Sequence, residues 1–165
     1  MYVTNVKDNT VSVIDTETNK VTGPLDVGRD PSGIAFDSKN NRMYVTNKMD
    51  DTVSVIDTEA IKVTKTITAV GNAPRGIAFD SKYNRMYFVN NANTTTVSVI
   101  DTASNAVTGT ITVGSYPYDI AFDSANNKMY VINRLNHTVS VIDTETNKVT
   151  HTIDVGNQPK DIAFD

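Results

Sequence analysis

The sequence predicts an all-β protein made of four copies of one unit. The phrase Met-Tyr-Val-Thr-Asn at residues 1–5 returns with small changes at 43–47, 86–90 and 129–133, so the period is about 42 residues. Every period is rich in Val, Ile, Thr, Tyr and Phe, is interrupted by Asp, Asn, Gly and Pro, and lacks a helical hydrophobic pattern. Repeats of this length are typical of solenoids, arrays and propellers.

The repeats divide the chain into 1–42, 43–85, 86–128 and 129–165, which we expect to form a single unit. A compact chain of 165 residues can bury about two-thirds of its unfolded surface. The net charge of −4 is spread along the repeats and forms no basic stripe, which argues against nucleic acid as a partner. The absence of cysteine excludes disulfides and thiolate metal sites. No apolar run approaches the roughly 20 residues of a membrane span.

Each repeat contains four predicted strands, which in the second repeat lie at 43–47, 52–57, 63–70 and 76–79. The turns between them carry recurring polar residues. Aspartates that can accept backbone N–H groups just ahead of them follow one strand of every repeat; they are Asp15, Asp57, Asp101 and Asp143. Asparagines suited to a left-handed backbone occupy another turn, at Asn41, Asn84 and Asn127. We interpret both sets as turn residues and not as a catalytic carboxylate group.

The strings Tyr-Val-Thr-Asn, Thr-Val-Ser-Val-Ile-Asp-Thr and Val-Gly-x-x-Pro-x-Gly-Ile-Ala-Phe-Asp resemble the YVTN family of β-propeller repeats. The resemblance covers the whole chain and implies a β-propeller of four-stranded antiparallel blades, with the Ile-Ala-Phe strand innermost. It also implies a surface-layer or other exported protein and a likeness to seven-bladed and lactonase-like enzymes. This chain differs from the family because it has four units where about seven are usual.

The two ends of the chain correspond to different strands of a blade, and each end has the strand that the other lacks. Residues 1–5 correspond to the second strand of a blade, and residues 161–164 correspond to an innermost strand. We therefore expect the C-terminal strand to complete the N-terminal blade, because exposed strand edges are usually covered. Closure within one chain would give four blades, and closure between two chains would give eight. Each outer strand would have to cover about 32 Å of circumference in the smaller ring and about 21 Å in the larger, which favours a homodimer sharing one ring.

The two faces of such a propeller differ in how much the repeats vary. The turns at 37–42, 80–85 and 123–128 are near copies, and we call their side the invariant face. The variable face carries the loops at 6–9, 48–51, 91–95 and 134–137 and the connections at 29–32, 72–75, 115–118 and 157–160. Loops on a rigid scaffold commonly carry recognition, although unconstrained drift would also produce variation. The residues expected to contact a ligand or partner are Arg29, Asp30, Met49, Arg75, Tyr116, Tyr118, Asp119, Arg134, His137, Lys160 and Asp161.

Two pairs within this set have specific alternatives. Tyr116 and Tyr118 flank a proline and could stack on a sugar or a peptide, or could pack between loops. Asp119 and Asp161 stand where earlier repeats have glycine, and their carboxylates could face a cation or be solvated. We assign no metal and no cofactor.

The sequence favours a non-enzymatic binding or interaction scaffold for a protein, peptide or glycan. His137 and His151 occupy different places in the repeat and form no evident pair, and no nucleophile elbow, phosphate loop or dinucleotide fingerprint occurs. A structural role in a cell-surface layer and a lactonase-like hydrolase, which the resemblance implies, are the alternatives. We expect an extracellular or cell-surface location, although no signal peptide is present. Two Asn-x-Thr sequons, at 93–95 and 136–138, agree with that location.

Overall fold

A computed structural model describes residues 1–92 and 94–164. Asn93, the acceptor of one sequon, therefore lies outside the described residues. The strands are β1 (Tyr2–Asn5), β2 (Thr10–Asp15), β3 (Lys20–Asp26), β4 (Pro31–Asp37), β5 (Arg42–Asn47), β6 (Thr52–Asp57), β7 (Lys62–Ile67), β8 (Pro74–Asp80), β9 (Arg85–Asn90), β10 (Thr96–Asp101), β11 (Ala106–Thr112), β12 (Pro117–Asp123), β13 (Lys128–Asn133), β14 (Thr138–Asp143) and β15 (Lys148–Asp154). Within these ranges no helix is long and apolar enough to span a membrane.

The strands form four antiparallel meanders, one per repeat. The first sheet has three strands, β1-β2-β3, and the second to fourth sheets have four strands each, β4 to β7, β8 to β11 and β12 to β15. Strand β4 contacts β8 and β8 contacts β12, so the Ile-Ala-Phe strands are the inner strands, as expected. The outer strands β7, β11 and β15 are mostly exposed. The third predicted strand of the second repeat is shorter than expected, since β7 ends at Ile67.

The predicted turn residues make the expected local contacts. Asp57 accepts the backbone N–H groups of Glu59 and Ala60 at 3.0 and 2.8 Å. Asn41 and Asn84 have φ angles of 50° and 56°, in the left-handed region that asparagine tolerates better than most residues. Because the same residues recur at the same places, each repeat folds into the same hairpins.

The hydrophobic core lies between consecutive sheets. Three clusters of buried residues fill the three junctions, and each combines side chains from two neighbouring sheets. At the second junction, Tyr44 and Val55 of the second sheet pack with Phe88 and Ile100 of the third. Burial of such side chains contributes about 1.5–3 kcal/mol each, so sheet stacking is the main source of stability.

Closure within one chain, one of the two predicted forms, does not occur among the described residues. We expected residues 161–164 to form an inner strand paired with the N-terminal blade, but this segment has no strand pairing and β1 pairs only with β2 among the described residues. Ile162 instead lies beside the fourth sheet, where its N–H approaches the Asp119 carboxylate at 3.5 Å. The first sheet therefore keeps three strands, and the shared eight-bladed ring stays a prediction.

Candidate functional site

Hydrogen bonds join the two kinds of loop on the variable face. Asp51 Oδ1 accepts the N–H of Ala73 at 2.7 Å, and His137 Nδ1 accepts the N–H of Gln158 at 2.9 Å. Asn9 makes the equivalent bond in the first repeat through its side-chain oxygen. His137, which we predicted as a ligand contact, thus joins its loop to the following connection through Nδ1, and its contact with a ligand stays a prediction. The signal available in the sequence was that an acceptor side chain occupies this loop position in each of these repeats.

Each connection contains a left-handed residue directly before a proline, and the first three connections then enter the next inner strand. The φ angles are 55° at Asp30, 48° at Ala73, 57° at Tyr116 and 50° at Gln158. This conformation is least favourable for a bulky residue, so Tyr116 carries backbone strain that aspartate largely avoids. Strain of this kind persists where surrounding contacts fix it, and it is common at ligand sites.

The connections surround a cavity of about 300 Å³ at the ends of the inner strands, which we call the inner mouth. Its lining consists of Ser32, Gly33, Arg75, Gly76, Tyr118, Asp119, Lys160 and Asp161. The structure therefore brings together Arg75, Tyr118, Asp119, Lys160 and Asp161 from the predicted set. They come from the third and fourth sheets and from the C-terminal segment.

Two glycines allow the inner strands to approach closely at the mouth. A Cβ atom on Gly33 would collide with the carbonyl oxygen of Arg75, and one on Gly76 would collide with Asp119. The buried hydroxyl of Thr46 accepts the N–H of Gly33 at 2.8 Å and donates to the Arg75 carbonyl at 2.7 Å. Thr46 thus holds the Arg75 backbone at the mouth. Our sequence analysis missed Thr46, although a polar residue within a buried strand was the available signal.

A cationic and aromatic cluster surrounds Tyr118, and two of its members, Arg75 and Tyr118, line the inner mouth. The Arg75 guanidinium lies 3.8 Å from the centre of the Tyr118 ring, and its Nη2 donates to the Tyr118 hydroxyl at 2.5 Å. The Arg134 guanidinium lies 5.2 Å from the centre of the Tyr118 ring. The Tyr116 ring stacks on the Tyr118 ring with 6.5 Å between the ring centres. Cation–π contacts contribute about 0.5–2 kcal/mol each, so this cluster is held in place before a ligand arrives.

The acidic residues of the mouth have different surroundings. Asp119 is half-buried, and burial, reinforced by the neighbouring Asp161 carboxylate, raises its pKa against the opposing effect of N–H donors and Arg75. Asp161 and Lys160 are exposed. Within the described ranges, no group of three or more His, Cys, Asp or Glu residues could hold a metal. The two carboxylates therefore give the mouth hydrogen-bond acceptors next to its cations.

The other predicted residues lie on the rim, outside the cavity lining. Arg29 Nε pairs with the Asp50 carboxylate at 2.6 Å, and Lys48 Nζ lies 3.4 Å from the Asp30 carboxylate. Met49 is 60% exposed. Exposed ion pairs of this kind contribute about 0–1 kcal/mol, so they order the rim without strongly stabilising it.

Comparisons with known proteins identify the family and the fold of the chain. A family model described as the cytochrome D1 heme domain matches residues 1–164. Among solved structures, Kuenenia stuttgartiensis hydrazine synthase resembles this chain with a TM-score of 0.88 and 24% identity, over 97% of this chain and 47% of that one. This chain therefore spans about half the length of that protein. A search of curated proteins finds no match. The structural likeness confirms the β-propeller fold, and the specific YVTN resemblance stays a prediction.

Proposed function

The chain belongs to the cytochrome D1 heme domain family, and from this premise and the geometry of the mouth we propose that it is a non-enzymatic propeller that binds a ligand at the inner mouth. The observation that supports this proposal most directly is the convergence of Arg75, Tyr118, Asp119, Lys160 and Asp161 on one cavity. Small-ligand sites are commonly such concave surfaces with a few converging polar groups.

The family description names heme, and a haem held in the mouth would need an axial ligand from the side chains there. Haem iron takes axial ligands from His, Cys, Met or Tyr side chains. The lining contains no His, Cys or Met, and the hydroxyl of its Tyr118 is bonded to Arg75. His137 Nδ1 accepts a backbone N–H, and His151 lies on the exposed outer strand β15. The residues that line the mouth offer no free axial ligand to a haem, so we propose a different class of ligand for it.

The ligand class that fits the mouth is a carbohydrate carrying an acidic group. Lys160 and Arg75 offer positive charge to a carboxylate, since Arg75 has N–H groups beyond the one bonded to Tyr118. The carboxylates of Asp119 and Asp161 can accept hydrogen bonds from sugar hydroxyls. Tyr116 adds an aromatic surface of the kind that suits amphipathic ligands.

Capture of neutral and acidic oligosaccharides on a glycan array, followed by titration of the best one, tests this proposal. Lys160→Met should weaken acidic-glycan binding about tenfold or more, because it removes a charged donor from the mouth. Lys82→Met is the matched control on the invariant face and should leave binding unchanged. No capture, or equal loss in both variants, would reject the mouth as a glycan site.

The YVTN resemblance supports a location for the protein and suggests two other functions. We infer an extracellular or cell-surface location, with the variable face turned toward its ligand. A structural element of a surface layer is the second candidate, and it would assemble on its own without retaining any glycan. A lactonase-like activity is tested by incubating the protein with a set of lactones, which a binding scaffold should leave intact.

A further inference from the structure

A second cavity lies at the junction between the third and fourth sheets. Its volume is about 410 Å³, and we call it the side cavity. It shares no lining residue with the inner mouth. Hydroxyl, amide and valine side chains and one glycine form the lining, at Thr112, Val113, Gly114, Asn133, Asn136, Thr138, Ser140, Val149 and Thr152. Pockets for small ligands commonly measure about 300–1,000 Å³, so the side cavity is large enough for one.

A buried asparagine with an unpartnered oxygen lines the side cavity. The Asn133 side chain is 0% exposed. Its Nδ2 donates to Thr138 Oγ1 at 3.0 Å and to Ser140 Oγ at 2.8 Å. Its Oδ1 accepts no hydrogen bond from any described residue. Because a buried acceptor without a donor is unfavourable, this oxygen is suited to a donor that the described chain does not supply.

The hydroxyls bonded to Asn133 offer the complementary groups. Thr138 and Ser140 each accept a hydrogen bond from Asn133, so each still has a proton to donate. Neither proton has an acceptor among the described residues. The Asn136 Oδ1 accepts the N–H of Ser115, which leaves the Asn136 Nδ2 as a further donor. The side cavity therefore presents an acceptor and several donors next to one another.

The junction between the second and third sheets contains the same polar set but closes it. Asn90 Nδ2 donates to Thr96 at 3.0 Å and to Ser98 at 2.9 Å. The Ser98 hydroxyl then donates to the carbonyl oxygen of Val70 at 2.7 Å. Val70 is 1% exposed, so the connection covers the set at this junction. The chain itself thus supplies the acceptor that Ser140 lacks.

The length of the connection accounts for this difference. Six residues separate Ile67 from Pro74 in the second repeat, whereas five separate Ile111 from Pro117 in the third. The shorter connection leaves Val113 only partly buried, and no carbonyl of a described residue accepts the Ser140 hydroxyl. The side cavity is therefore specific to a connection that differs in sequence, and it belongs to an internal junction of the fold.

The lining restricts the ligand to a neutral molecule with both hydroxyl and hydrocarbon parts. No charged side chain lines the side cavity, so a charged ligand would lose hydration without gaining a counter-ion. A fully apolar ligand would leave Asn133 Oδ1 without a donor. Val113 and Val149 pack against the hydrophobic cluster of this junction and provide an apolar wall. Thr112 and Thr152 are exposed, so the cavity is open to solvent.

We propose that the side cavity binds a neutral sugar or polyol, separately from the acidic carbohydrate proposed for the inner mouth. A hydroxyl of this ligand donates to Asn133 Oδ1 and accepts from Ser140 or Thr138, because one hydroxyl both donates and accepts. The C–H face of the ligand lies against Val113 and Val149. A single water would not fill the site, since water occupies roughly 30 Å³ in the liquid.

Amide NMR spectra of the isotope-labelled chain, titrated with glucose, N-acetylglucosamine and sorbitol, test this proposal. At least one of the three should give saturable shifts at Gly114, Thr138 and the Asn133 side-chain amide. The signals of Gly33 and Gly76 in the inner mouth should stay unchanged in that titration. No saturable shift with any of the three, or shifts confined to the two mouth glycines, would overturn the proposal. Glucuronate that binds the side cavity as tightly as the best neutral ligand would overturn the assignment of a neutral ligand.

A serine variant and its matched control test the hydrogen bonds. Ser140→Ala should raise the dissociation constant of the best neutral ligand about fivefold, the value of one net hydrogen bond. Ser98→Ala removes the equivalent hydroxyl at the closed junction, where Val70 accepts its proton, and should leave the dissociation constant unchanged. Equal affinities of the two variants would contradict the assigned hydrogen bond.

A bulky substitution at the entrance provides a test that leaves the buried polar set intact. Thr152 lies opposite Ser140 on the outer strand, and Thr110 lies opposite Ser98 in the same way. Thr152→Trp should reduce neutral-ligand binding at least tenfold by filling the entrance, whereas Thr110→Trp should preserve it. Both positions are exposed, so both variants should fold. Unchanged binding by Thr152→Trp would overturn the proposal.

The variant Lys160→Met separates the two sites. It removes a cation from the inner mouth and should weaken acidic-glycan binding there, whereas binding of the neutral ligand in the side cavity should be unchanged. Failure of the acidic glycan to bind the parent chain would leave the side-cavity titration unaffected. A parallel loss of neutral-ligand binding in Lys160→Met would contradict a separate site.

Discussion

Replacing Tyr87 by phenylalanine removes one oxygen atom from the junction between the third and fourth sheets. Tyr87 is 0% exposed, and its hydroxyl donates to Asn147 Oδ1 at 2.6 Å. The phenyl ring remains, so packing of the junction is preserved. The variant therefore isolates the contribution of the hydrogen bond between sheets.

The expected loss of stability is about 1–2 kcal/mol. A net hydrogen bond contributes about 1 kcal/mol, and an acceptor left without its donor adds a desolvation cost of about 1–3 kcal/mol when it is fully buried. Asn147 is half-buried, so solvent reduces the second contribution. A loss of this size changes the ratio of folded to unfolded protein by about 5- to 30-fold.

Urea unfolding followed by circular dichroism at one fixed protein concentration measures this loss. Tyr83→Phe is the control, since the Tyr83 hydroxyl has no hydrogen-bond partner among the described residues. Asn147→Gly, which suits the φ angle of 55° at that position, completes a double-mutant cycle with an expected coupling of about 1 kcal/mol. Equal stability of Tyr87→Phe and Tyr83→Phe, or strict additivity in the cycle, would refute the reasoning.

Three further results are expected. Gly33→Ala should cost about 1–3 kcal/mol in thermal unfolding, because its Cβ would collide with the Arg75 carbonyl, whereas Gly109→Ala meets nothing within 4 Å and should be within about 0.5 kcal/mol of the parent. At high pH the two buried tyrosines Tyr44 and Tyr87 should destabilise the fold, because their pKa is 10 when unfolded and about 12 when folded. Their contribution to stability is complete below pH 10 and is lost as the pH rises toward 12. Replacing both by phenylalanine should make the urea midpoint depend less on pH between about pH 9 and about pH 11. At low pH the effect has the opposite sign for Asp143, because hydrogen bonds from Lys128 and from the backbone N–H and hydroxyl of Thr146 hold its pKa below the ordinary 3.8. Stability should therefore fall as the pH drops through 3.8 and below. Asp143→Asn should make the free energy of unfolding depend less on pH in this range.

Much of the fold was predictable because each sheet is assembled from residues close together in sequence. Asp57 bonds N–H groups two and three residues ahead, and Asn84 adopts the left-handed backbone that its turn needs. Such contacts are fixed by local geometry, and a four-fold repeat shows them four times. The strands and their turns therefore followed from the pattern, whereas the innermost position of the Ile-Ala-Phe strand came from the family resemblance.

The candidate site was predictable in position but not in its contacts. The comparison between repeats identified the variable face and most of the polar lining of the inner mouth. It did not show that His137 bonds Gln158, that Thr46 bridges Gly33 and Arg75, or that Tyr87 joins the third sheet to the fourth. These contacts join residues that are 13 to 60 positions apart. They depend on how loops and sheets stack.

The sequence by itself determined the repeat, the strands, their turns and the face on which the repeats differ, because neighbouring residues carry that information. Only the tertiary structure decided which side chains meet across sheets, that Arg75 and Arg134 both lie near the Tyr118 ring, and that residues 161–164 lie unpaired beside the fourth sheet. The physical reason is that packing between sheets sets distances of a few ångströms between side chains, and the pattern within a repeat does not define those distances.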